Sequence, residues 1–174
     1  LGDDIYYKGA WILHTLREQI GDEAFEKTLR LLVYGRDDPR PGNFRPLLRT
    51  TDDYQRIVEQ VTGRDWGWFF DAYFRTAALP RLVEARTSST LNLAWKTEAK
   101  EPFVLPVEVQ IDGKRVTVPM TGGKGRVRLP SPDAHVVLDP EARILRENPA
   151  IAAWQKQEAE AKKKATAAAK SQES

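Results

Sequence analysis

The sequence predicts an α+β protein: a helical segment, then a small antiparallel β-sandwich, then a polar tail. Three observations lead there. Apolar residues recur at helical spacing from the start of the chain to about residue 78. After Pro80 the period changes to strict alternation, the pattern of half-buried strands. Beyond Asn148 the apolar stripe is lost among Ala, Lys and Glu. The divisions are residues 1–79 (helical), 80–147 (β-sandwich) and 148–174 (a frayed helix or disordered tail).

The helices come first. Asp3 or Asp4 can cap a helix that carries Ile5, Ala10, Ile12, Leu13 and Leu16, with Gly21 at its end. Asp22 can cap a second, in which Phe25, Leu29, Leu32 and Val33 share a face. The Gly, Pro and Asn of "GRDDPRPGNFRP" mark a loop. Thr51 can cap a third helix with Tyr54, Ile57, Val58 and Val61 on one side, stopped by Gly63. The aromatic-rich "RDWGWFFDAYFR" reads as a fourth. Helices joined by short turns predict an antiparallel array.

The strands follow in "RLVEARTS", "TLNLAWKTE", "LPVEVQID", "KRVTVPM", "GRVRLP" and "HVVLDP". Asp112-Gly113, between the third and fourth, is a strong hairpin signal because both central positions of a type I′ turn need positive φ.

Composition excludes several classes. Hydrophobic residues make up 41% of the 174, enough for a core. Charged residues make up 30%, with net charge +2 and signs that alternate through most of the chain, so no nucleic-acid footprint is read. The absence of cysteine removes disulfide and thiolate chemistry. No apolar run reaches the ~20 residues of a membrane-spanning helix. Leu1 is not a start residue, so any targeting signal is expected ahead of it.

Few residues carry chemistry. His14 and Glu18 lie one helical turn apart, but a zinc site takes three or four ligands and the only other histidine is His135, far along the chain. "TGGKGRVRL" lacks phosphate-loop spacing and precedes a strand rather than a helix, so it reads as a solvated hairpin. The aromatics of "WGWFFDAYF" lack the flanking cations of a base-stacking surface and read as core. The Lys-rich tail reads as a solvated helix.

The opening stretch is different. "YYKGAWILHTLREQIGDEAF" resembles the segment that follows the zinc-binding helices in zinc aminopeptidases of the membrane alanyl aminopeptidase (gluzincin) family. Tyr6, Lys8, Gly9, Ala10, Leu16, Arg17, Gly21, Asp22 and Phe25 carry the likeness. A second stretch matches at Thr62, Gly63, Asp65, Phe69, Phe70 and Pro80, with Trp66 and Tyr73 departing from the usual leucine and tryptophan. "VVLDPEARILRE" resembles the family's closing strand and Asp-Pro pair.

The resemblance implies that the helical segment ends a thermolysin-like catalytic domain and that the parent is a zinc-dependent aminopeptidase acting on peptides. It makes Tyr6 the catalytic phenol, with the short Gly9 and Ala10 letting the helix approach its neighbours. A phenol, with an ordinary pKa of about 10, is protonated at neutral pH. It can donate a hydrogen bond to the oxyanion formed at an attacked peptide carbonyl, an interaction worth about 3–4 kcal/mol of barrier in comparable sites. The family's His-Glu-x-x-His is absent here. The zinc ligands, glutamate base and amino-terminus motif are therefore expected upstream of Leu1, and this chain is expected to hold no zinc itself. The partners implied are a peptide substrate and that upstream catalytic segment. The competing expectation is a non-catalytic protein-interaction module in which Tyr6 merely packs.

Overall fold

The computed structural model describes residues 4–42, 45, 47–149, 153 and 157. Four helices come first: α1 (Asp4–Ile20), α2 (Asp22–Tyr34), α3 (Thr51–Thr62) and α4 (Gly67–Tyr73). Six strands follow: β1 (Arg81–Arg86), β2 (Thr90–Lys96), β3 (Val107–Ile111), β4 (Lys114–Val118), β5 (Lys124–Arg128) and β6 (Val136–Leu138). They form two three-stranded antiparallel sheets, ordered β1-β2-β5 and β4-β3-β6. The protein is thus α+β, with helices and strands segregated along the chain. The tail, 148–174, lies outside the described residues apart from Asn148, Pro149, Ala153 and Gln157.

Two caps differ from the sequence reading, each for a local reason. Thr51 is the first helical residue of α3, and Thr50 is the cap. Thr50 accepts from the Asp53 N–H at 3.2 Å while its own N–H donates to the Asp53 carboxylate at 2.8 Å. That reciprocal capping box needs an acid three residues on, and Asp53 stands in that place for Thr50. Asp22 does not cap α2; Gly21 holds the cap position with φ 82° and no side-chain hydrogen bond. The Asp22 carboxylate instead accepts from Arg17 Nε at 2.7 Å. That hydrogen bond, with the charge behind it, holds the Asp22 carboxyl below the usual carboxylate range. The fourth helix also begins later than its aromatic pattern suggested, at Gly67, with Asp65 Oδ1 accepting from the Gly67 N–H at 2.9 Å.

The predicted alternation holds in β2, β3 and β5, while the edge strands β1 and β4 are mostly exposed. In β2, Leu91, Leu93 and Trp95 are buried while Asn92 and Lys96 are exposed. Asp112 (φ 47°) and Gly113 (φ 81°) turn β3 into β4, with Ile111 paired to Lys114. The turn is anchored from outside the hairpin, because Asp112 N–H donates to His135 O and Asp112 Oδ1 accepts from His135 N–H.

One buried cluster runs through helices and strands alike, from Ile12 and Leu16 through Phe69, Phe70 and Tyr73 to Leu93, Leu105 and Val107. Phe103 lies where they meet. It is 1% exposed, and its ring meets Trp68, Tyr73 and Trp95 edge-on at centroid distances of 5.3, 5.3 and 5.1 Å. Edge-to-face contacts of this kind add about 0.5–1.5 kcal/mol each beyond burial. Trp95 is held in turn by its indole N–H, which donates to Leu105 O at 2.8 Å. Phe103→Ala is therefore expected to cost about 3–5 kcal/mol of stability, read as a fall in the urea midpoint. A loss below about 1 kcal/mol would show that the helical and strand parts do not depend on this ring.

Candidate functional site

The residues singled out by the opening motif lie along α1, and most have a structural duty. Lys8 points back into the molecule. Its Nζ donates to the carbonyls of Thr76 and Ala77 at 3.1 and 3.0 Å, tying the start of α1 to the segment after α4. Leu16 is fully buried. Arg17, Gly21 and Asp22 build the corner between α1 and α2, where positive φ at Gly21 turns the chain and the Arg17–Asp22 pair spans the bend. The second stretch builds the corner between α3 and α4. Gly63 ends α3 in the left-handed conformation, Thr62 Oγ1 accepts from the Trp66 indole at 2.8 Å, and Phe69 and Phe70 are fully buried.

Tyr6 has no such duty. It is 78% exposed, and neighbouring Tyr7 is 69% exposed. A residue two positions before Lys8 sits about 200° round the helix from it, so fixing Lys8 inward turns Tyr6 outward. The expectation that Gly9 and Ala10 permit close helix approach is not met within this chain. A Cβ built at Gly9 meets nothing within 4 Å, and Ala10 is exposed. This face of α1 is open among the described residues. Trp11, 44% exposed, lies about 140° round the helix from Tyr6, edge-on to His14 at 5.4 Å. Shallow depressions of about 270 and 310 Å³ flank Trp11.

Sequence reasoning missed what holds α1 in place. The closing segment after β6 docks on it through Thr15, which is fully buried. Thr15 Oγ1 donates to Arg143 O at 3.2 Å and accepts from the Leu145 N–H at 3.0 Å. Arg143 Nε pairs with Glu18 at 3.2 Å. The loop that brings this segment round is shaped by Asp139, whose carboxylate accepts from the N–H groups of Arg143 and Ile144 at 2.9 and 3.1 Å. Tyr73, one of the two departures from the family pattern, donates its hydroxyl to Leu145 O at 2.5 Å. Burial pushes the Tyr73 phenol far above its ordinary value, and the Asp139 charge pushes it the same way. The signal available in the sequence was the "LDPEARIL" run itself, with Asp139 ahead of exposed and apolar residues in turn.

These residues do not make a zinc site. His14 is paired with Trp11, the Glu18 carboxylate is engaged by Arg143, and His135 lies beside the β3–β4 turn. Among the described residues no three His, Asp or Glu side chains converge on one point. No helix among them is long and apolar enough to cross a membrane. Neither a scan against protein-family models nor a search of curated proteins finds a match for this chain.

Two outcomes check this arrangement. Thr15→Val keeps the shape but strands the part-buried Leu145 N–H, and is expected to cost about 1–3 kcal/mol in urea unfolding. An unchanged midpoint would assign the docking to apolar contacts alone. The second concerns alkali. A phenol whose folded pKa is raised holds its proton more tightly folded than unfolded. Its contribution is whole below about pH 10 and is lost as pH rises above that. Stability measured at stepped pH should therefore fall above about pH 10, and the fall should be shallower in Tyr73→Phe. Burial raises Tyr54 similarly, opposed by its hydrogen bond with Thr28, so Tyr54→Phe serves as a second reference. Parallel curves for wild type and Tyr73→Phe would remove Tyr73 as the cause.

Proposed function

We propose that this chain is part of a zinc-dependent aminopeptidase that hydrolyses N-terminal residues from peptides, and that its contribution to the chemistry is the Tyr6 phenol. The carrying observation is the division of labour on the first turns of α1. Lys8 is consumed in tying the helix to Thr76 and Ala77, while Tyr6 stands outward with its hydroxyl exposed.

Zinc in such an enzyme activates the attacking water. Among the described residues no three His, Asp or Glu side chains converge on one point, and the step we assign to this chain is a hydrogen bond. As the substrate carbonyl becomes tetrahedral, the Tyr6 hydroxyl donates to the oxygen on which charge develops. Donation grows with that charge, so it lowers the barrier more than it tightens substrate binding. The role demands a rigid helix. Thr15, Glu18 and Lys8 provide three separate attachments along α1.

The open face bearing Tyr6, Gly9 and Ala10 is where the upstream catalytic segment, with its zinc ligands, would pack. In this reading residues 1–79 end a thermolysin-like domain, and the two sheets are the layers of a β-sandwich over residues 80–147. The gene ahead of Leu1 should then encode His-Glu-x-x-His followed by a further glutamate ligand. A parent without these would be an interaction module using the same exposed face.

The kinetic test uses the full-length parent. Tyr6→Phe should lower kcat at least about a hundredfold with little change in KM, since it removes one oxyanion donor. Tyr7→Phe, about 100° round the helix, should retain near-normal turnover. Equal turnover for wild type and Tyr6→Phe would reject the assignment.

A further inference from the structure

The charges that alternate in sequence do not alternate in space. In β5 the exposed residues are Lys124, Arg126 and Arg128, all on one side of the strand. Their partners on β2 are Ala94, Asn92 and Thr90, which share the face opposite the buried Leu91, Leu93 and Trp95. Across β2, Val83 and Ala85 of β1 complete the same face, and Arg81 opposite Lys96 adds two cations at its end. Arg81 approaches Glu147 at 4.0 Å. Lys96, Lys124, Arg126 and Arg128 form no ion pair among the described residues. The middle of the face is hollow. Val83, Ala85, Asn92 and Ala94, with Lys124, Arg126 and one carboxylate, Glu84, are among the residues that line a depression of about 500 Å³. It lies on the β1-β2-β5 sheet, away from Tyr6.

We propose that this face of the β1-β2-β5 sheet docks an acidic polypeptide segment in extended conformation. The proposal is independent of the peptidase reading. Three features select that occupant. Four unpaired cations above a floor of small side chains present positive charge with room beside it, which calls for an anionic partner. Lys124, Arg126 and Arg128 stand about 6.8 Å apart, the spacing of alternate side chains on an extended chain, so carboxylates at every second position of a strand meet them in register. Guanidinium forks match carboxylates in two-point hydrogen bonds. A single-stranded nucleic acid would require aromatic platforms for its bases, and this face has none, since Trp95 is buried beneath it. A lipid surface would call for large exposed apolar side chains to insert, and the hollow offers Val83, Pro119 and two alanines beside a buried Leu93.

The test uses the whole 174-residue chain. The probe is a fluorescein-labelled peptide of alternating Glu and Thr, followed by anisotropy and by amide chemical shifts of the isotope-labelled protein. Comparators are a peptide of equal composition with all glutamates in one block, an oligothymidylate, and phosphatidylcholine vesicles containing phosphatidylserine. The alternating peptide should bind at about 0.1 M salt, shift amides at 83–85, 92–94 and 124–128, and release by about 1 M salt, where screening falls to about 3 Å. Arg126→Glu should weaken binding at least about tenfold with an unchanged far-ultraviolet spectrum, and Arg126→Gln should weaken it less. No binding at about 0.1 M salt, shifts mapping elsewhere, or indifference to both Arg126 variants would overturn the proposal. Equal binding of the blocked peptide would overturn the extended register. Tighter binding of the oligothymidylate or of the vesicles would replace the polypeptide with that partner.

Discussion

A single buried hydroxyl joins the two ends of this fold. Thr15 lies in the middle of the first helix, and its oxygen both donates to and accepts from backbone groups of Arg143 and Leu145. A helix of this length is marginal alone in water, and its position relative to the sheets is set by what it docks against. Here that docking is polar and directional. Tyr73 reinforces it by donating to the carbonyl of Leu145 from the far side of the core. Every group in this knot is satisfied by another member of it. Loss of any one leaves a part-buried polar atom without its partner, which can cost more than the bond gave.

Around that knot the core is aromatic. Phe103, between β2 and β3, reaches Trp68 and Tyr73 of the helical half and Trp95 of the strand half. Its three edge-on neighbours explain why the helices and sheets share one hydrophobic interior. The dense aromatics of α4 are thereby accounted for as packing. Trp66, Phe69 and Phe70 are buried, with ring contacts among themselves and to Tyr54.

The proposed catalytic role rests on what this interior leaves outside. Lys8, Thr15 and Glu18 are used to fasten α1, and they occupy the sides of the helix that face the protein. Tyr6 and Ala10 are left on the open side, where a phenol can meet a ligand. The motif residues therefore divide into those that position the helix and the one that the positioned helix presents. The cationic face of β5 has a parallel origin. A strand places every second side chain on one surface, so a "KGRVR" run that looks mixed in sequence becomes a row of like charge when folded.

By itself the sequence determined the elements whose signals are local. Apolar spacing marked the four helices, alternation marked the six strands, and Asp112-Gly113 marked its hairpin, because each depends on backbone preferences a few residues wide. It also marked Tyr6 as a residue to watch, through a motif rather than through physics. Cap positions were legible only to within a residue. Thr50 and Thr51 are equally good caps until the distance to Asp53 is counted, and Asp22 is drawn from its cap position by Arg17. The tertiary structure alone decided the strand order, the docking of 143–145 on Thr15, the outward aim of Tyr6 and the gathering of Lys124, Arg126 and Arg128 beside a hollow. These depend on contacts between residues far apart in the chain. Such pairings leave no periodic trace in one sequence, since many partners would satisfy the same local pattern and only closure of the whole core selects among them.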